Sequence, residues 1–124
     1  MRMLLLAMLV LLTPWFARAQ AQAHQVVIVW TDALNPTGTT YNVYRANGAC
    51  PANPPTLAAL GAFTVQNTSP VTVKTYTDTA VNSAAVYCYF VTALNGTSQS
   101  SPSNTTMATI PGLYAPAVTV TVSQ

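Results

Sequence analysis

The chain contains no glutamate, and its 124 residues carry two aspartates, four lysines and arginines together, one histidine and two cysteines. Each scarcity removes a class of chemistry. Glycoside hydrolysis needs two carboxylates flanking one bond, and with glutamate absent only Asp32 and Asp78 are on offer. A serine-histidine-acid triad would have to recruit His24, near the start of the chain. A metal site needs three or four good ligands, more than this inventory brings to one place. Nucleic-acid binding needs a basic patch that displaces counterions, and beyond residue 18 the only cations are Arg45 and Lys74. No catalytic residue, metal or cofactor is expected, and no nucleic-acid partner.

Long hydrophobic runs are missing too. Behind Arg2, Leu4 to Leu12 form an apolar run of about nine residues. That is the length of a signal-peptide core, against the roughly 20 residues of a membrane span. Small residues follow as Ala17-Arg18-Ala19, so residues 1–19 read as a cleaved signal, with Ala21-Gln22-Ala23 giving an alternative end at 23. No cysteine follows either site, which argues against a lipid anchor. The expected location is secreted or cell surface, with no membrane span after cleavage. Cleavage would also remove Arg2 and Arg18, leaving Arg45 and Lys74 against Asp32 and Asp78 and a net charge near zero.

What is present is Thr, Ser, Val, Ala, Asn and Pro, with few strong helix formers after the apolar run. Such a composition favours short strands broken by turns. About 100 residues suffice for one domain with one core. "HQVVIVW" (24–30) alternates so that Val26, Ile28 and Trp30 share a face. "TTYNVYR" (39–45) turns Tyr41 and Val43 one way and Tyr44 the other. "TLAALGAFTVQ" (56–66) reads as either a short strand or one helical turn. "TVKTYTDT" (72–79) alternates again. "VYCYFVTALNG" (86–96) predicts the longest strand, with Tyr87, Tyr89, Val91 and Ala93 on one face and Cys88, Phe90 and Thr92 on the other. "NGTSQSSPSN" (95–104) reads as turn and "TTMATI" as a last strand. Beyond "PGLYAP" (111–116), Val118, Val120 and Val122 line one face of "AVTVTVS". Strands at these intervals predict an all-β, immunoglobulin-like sandwich.

The ordered set "VVIVW", "YNVYR", "YTDT", "YCYFVTALNG" and "SQSSPSN" resembles a fibronectin type III domain of secreted bacterial kind, over residues 24–110. The resemblance implies that Trp30, Tyr41, Val43, Tyr89 and Val91 are core. It implies that Tyr87 forms a tyrosine corner, its hydroxyl bonded to upstream backbone, and that Asp32 and Asp78 are turn and strand-end residues. Two departures stand out: the family's first strand is missing, and residues 111–124 add a linker and a strand-like tail.

Two cysteines in an exported chain usually pair. In the family frame Cys50 lies in a Pro-rich loop after the third strand and Cys88 on the outer face of the sixth, so a bridge would lay that loop over Tyr44 and Phe90. The rival, a nucleophilic thiol, needs a base nearby, and His24 is distant in that frame. Lys74 and Arg45 read as single solvated charges. The sequons at Asn67, Asn95 and Asn104 matter only in a glycosylating host. The function expected is a non-catalytic adhesion, matrix or spacer module binding an extracellular protein. One alternative is a structural subunit that polymerises by donor-strand exchange through residues 117–123. The other is a small carbohydrate binder using exposed aromatics such as Tyr44, Phe90 and Tyr114.

Overall fold

The longest strand shows how the sequence builds the molecule. β-branched and aromatic residues fill Val86–Asn95, and their period-two alternation sends neighbouring side chains to opposite faces. The computed structural model describes residues 23–113 and Thr121. In chain order the elements are β1 (Val26–Val29), β2 (Thr40–Asn47), a helical turn α1 (Leu57–Leu60), β3 (Thr64–Val65), β4 (Thr75–Asp78), β5 (Val86–Asn95), β6 (Ser98–Gln99) and β7 (Thr106–Thr109). The fold is all-β, and two antiparallel sheets pack as a sandwich.

The smaller sheet pairs β1 with β4, Val26 opposite Asp78 and Val29 opposite Thr75. The larger has the order β3-β2-β5, with β6 and β7 sharing the far edge of β5. β7 takes the first half of β5, from Val86↔Thr109 to Tyr89↔Thr106, and β6 takes Leu94 and Asn95. Between them Ser103 N–H and Ser100 N–H donate to the carbonyls of Val91 and Ala93. The hydroxyls of the same two serines accept from the N–H groups of those residues. The edge of β5 is thereby bonded along its length by a segment that is mostly irregular.

Both faces of β5 are buried. Tyr87, Tyr89 and Val91 meet Ile28, Tyr41, Val43 and Ile110 between the sheets. On the outer face Cys88 and Phe90 pack with Ala46 and Phe63, because the segment from 50 to 63 folds back over the larger sheet.

Segment 56–66 holds both of the structures expected as alternatives. Thr56 caps α1 by accepting the N–H of Ala59, and β3 follows. β6 lies inside a stretch expected to be only turn. Of the expected core, Ile28, Tyr41, Val43, Tyr89 and Val91 are buried, whereas Val26, Trp30 and Ala93 are half-buried at its rim. Val26 and Trp30 pack against the buried cluster, and β1, which pairs along one edge only among the described residues, leaves them partly open. Residues 1–19 and the tail valines Val118, Val120 and Val122 lie outside the described residues, as does Tyr114. Among the described residues no helix is long and apolar enough to cross a membrane.

Candidate functional site

The scarce charged residues are spent on holding the sheets together. Asp78 ends β4 with its side chain 3% exposed. Its Oδ2 accepts from Arg45 Nη1 at 2.7 Å and from the Tyr89 hydroxyl at 2.9 Å, and its Oδ1 accepts from Ala80 N–H. Arg45 also donates to the Ala80 carbonyl and lies over the Tyr87 ring, 4.9 Å from its centroid. One carboxylate in the smaller sheet thus binds β2 and β5 of the larger. Burial, reinforced by the bond to Asp78, pushes the Tyr89 hydroxyl well above the usual tyrosine range. The expectation that Arg45 is a lone solvated charge is corrected. Its place on β2 has the parity of inward-facing Tyr41 and Val43, and a cation on that face requires a buried anion.

Asp32 does the same at the opposite end of β1. Its carboxylate accepts from the side chain and N–H of Asn35, from Leu34 N–H, and from the Tyr41 hydroxyl of β2 at 2.9 Å. The Asn35 side chain, followed by the Asn35 N–H, holds its carboxyl down at about 2. Lys74 is not free either, because its ammonium donates to the Asp32 carbonyl.

Cys50 and Cys88 form a disulfide with Cα atoms 4.9 Å apart, and Cys88 is fully buried. The loop it tethers brings Phe63 onto Phe90, with ring centroids 4.7 Å apart, while Tyr44 stacks on Phe90 at 4.7 Å. Phe90 is left 4% exposed, so it is corrected from the candidate partner surface to the outer core. Tyr44 is half-buried, its hydroxyl accepting from Gln99 Nε2. The Tyr87 hydroxyl accepts from Asn82 N–H at 3.0 Å, five residues upstream.

Sequence reasoning missed Asn67. Its Oδ1 accepts from Val43 N–H at 2.7 Å, and its Nδ2 donates to Asn42 Oδ1 and to the carbonyls of Ser69 and Tyr41. The amide stands in for backbone between β3, at Tyr44↔Val65, and the bridge Tyr41↔Val71. No periodicity in the sequence marks it.

One opening lies against β1. Beside the free edge of β1 a groove of about 360 Å3 runs between the sheets, walled by Ile28 and Trp30 on one side and by Tyr89 and Val91 on the other, with Ser103 and Thr106 at its lip. The indole N–H of Trp30 is buried with no acceptor among the described residues. No three histidine, cysteine or acidic side chains converge among the described residues. Comparison with models of known protein families gave no match, and no curated protein matched the chain.

Proposed function

We propose that this chain is an exported, non-catalytic sandwich module of fibronectin type III kind, serving adhesion, matrix or spacing through contacts with extracellular protein. The observation that carries the reading is the Cys50–Cys88 disulfide, one sulfur of which is sealed in the outer core. A structural bridge of this sort belongs to oxidising compartments, in agreement with the signal-like run at Leu4 to Leu12. The engagement of Asp32, Asp78, Arg45 and Lys74 in structural bonds supports a non-catalytic role. The order of strands and the Tyr87–Asn82 bond support the family likeness. The carbohydrate reading has one aromatic fewer to draw on, since Phe90 is buried.

The test is the intact mass of the protein recovered outside its producing cells, with and without a thiol-alkylating reagent under denaturing conditions. The expected mass begins after Ala19 or Ala23 and does not change with alkylation. A mass beginning at Met1, or one shifted by two alkyl groups, would overturn export or the bridge respectively.

A further inference from the structure

The groove beside β1 presents core chemistry to the outside. Ile28, Tyr89 and Val91 belong to the cluster between the sheets, yet they line an open cleft. β1 gives one edge to β4, and among the described residues its other edge meets no strand. A free edge of this kind carries backbone donors and acceptors that template a further strand. At the same wall the Trp30 indole N–H adds a buried donor with no acceptor among the described residues, and a strand laid in the cleft brings backbone carbonyls to it.

We propose that the groove is a strand-acceptor site and that its occupant is residues 117–123 of a second copy of this chain. That segment alternates Val118, Val120 and Val122 with Thr119, Thr121 and Ser123, the pattern of a strand with one apolar and one hydroxyl face. Seven residues reach roughly 23 Å as a strand, more than the roughly 13 Å of the four-residue β1. Neither the segment nor the six groove residues named above carry a charge, so copies meet without repulsion.

Direction selects a second copy over the chain's own tail. After β7, Ile110 N–H donates to the Ala85 carbonyl and the Pro111 carbonyl accepts from Ala84 N–H, so the chain leaves at the start of β5. Asp78 sits at that same end, tied to Arg45 and Tyr89, and Asp78 is opposite Val26 where β1 begins. A tail folded back on its own domain would therefore run parallel to β1. A tail from a copy stacked head to tail enters from the far end and runs antiparallel, the somewhat more stable pairing. Leu113 points away from the domain at 94% exposure, and Thr121 is exposed and in no strand. Such a contact is heterologous, and repeated it builds an open array. The proposal goes beyond the module reading above and holds whether or not the chain is exported.

The experiment is light scattering of the full-length oxidised protein over a concentration series, beside Val120→Lys, paired with hydrogen exchange of the Trp30 indole followed by NMR. Oligomers that grow with concentration are expected, with the indole protected. Val120→Lys should raise the concentration for half-association at least about tenfold and speed indole exchange. A synthetic peptide of residues 115–124 should then restore protection. A monomer at every concentration overturns the proposal. If that monomer has an indole protected until Val120 is replaced, the groove belongs to the chain's own tail. Oligomers indifferent to Val120→Lys assign association to another surface and overturn the proposal equally.

Discussion

Asp78 is an acceptor for three donors from three parts of the fold, and the energetic consequence of each differs. Replacing it by alanine leaves the Arg45 guanidinium, 18% exposed, without its counter-charge beneath the sheets. Breaking a buried pair from one side costs about 3–5 kcal/mol, so Asp78→Ala should show a loss of that size in urea denaturation. Tyr89→Phe removes one neutral donor while the ion pair persists, and about 1–2 kcal/mol is expected. Equal losses in the two variants would mean that Tyr89, not Arg45, is the partner that matters. Tyr89 also sets an alkaline limit. Its hydroxyl titrates higher in the folded protein than the ordinary value of 10, through burial first and the Asp78 bond second. The group therefore contributes its full stability below about pH 10 and loses it progressively as the pH rises further, because the unfolded chain ionises first. Stability measured by urea titration should be level approaching pH 10 and fall above it, with a shallower fall in Tyr89→Phe. At the acid end Asp32 works in the opposite sense. Its depressed carboxyl favours the fold above the ordinary value of 3.8, and that contribution disappears as the pH falls towards about 2.

Among the elements, β2 has an edge that depends on the side chain of Asn67. With Asn67 replaced by alanine, the Val43 N–H loses its acceptor in a strand where Val43 itself is fully buried. An unsatisfied buried donor costs about 1–3 kcal/mol, and amide exchange at Val43 should accelerate more than at Arg45, whose neighbour Thr64 is a ladder partner. Asn67→Asp keeps the Val43 bond but turns a carboxylate oxygen towards Asn42 Oδ1 and two carbonyls, so it should be destabilising as well. The same bonds occupy the nitrogen a sugar would need, and in a glycosylating host the folded protein should carry glycan at Asn95 or Asn104 and none at Asn67 when its peptides are mapped. The elements themselves were legible where alternation is long enough to count, as in β5 and β2. Asn67, Ser100 and Ser103 escaped because a side chain replacing a ladder bond leaves no period behind. Arg45 was half legible. Its inward parity was on the page, but its partner lies 33 residues away and only the packing of two sheets brings them together.

For the molecule as a whole, the sandwich is sealed on its outer side by a loop and not by a third layer. The Cys50–Cys88 bridge spans 38 residues, and closing a loop of that length in the unfolded chain is worth about 4 kcal/mol in the chain-entropy description. A domain of this size holds only about 5–15 kcal/mol in total, so the bridge is a large share of it. The loop also has a second hold, the tilted ring contact of Phe63 with Phe90. The two can be separated. The double variant Cys50→Ala/Cys88→Ala should lose roughly 2–4 kcal/mol and still cover Phe90 through Phe63. Phe63→Ala, with the bridge intact, should lose about 3–5 kcal/mol by emptying the outer core. Only when both are combined should the loop lift, exposing Tyr44 and Phe90 to a hydrophobic dye at concentrations of urea too low to unfold the sheets. Dye binding by the cysteine variant alone would mean that the covalent tether, and not the aromatic contact, is what closes the outer face.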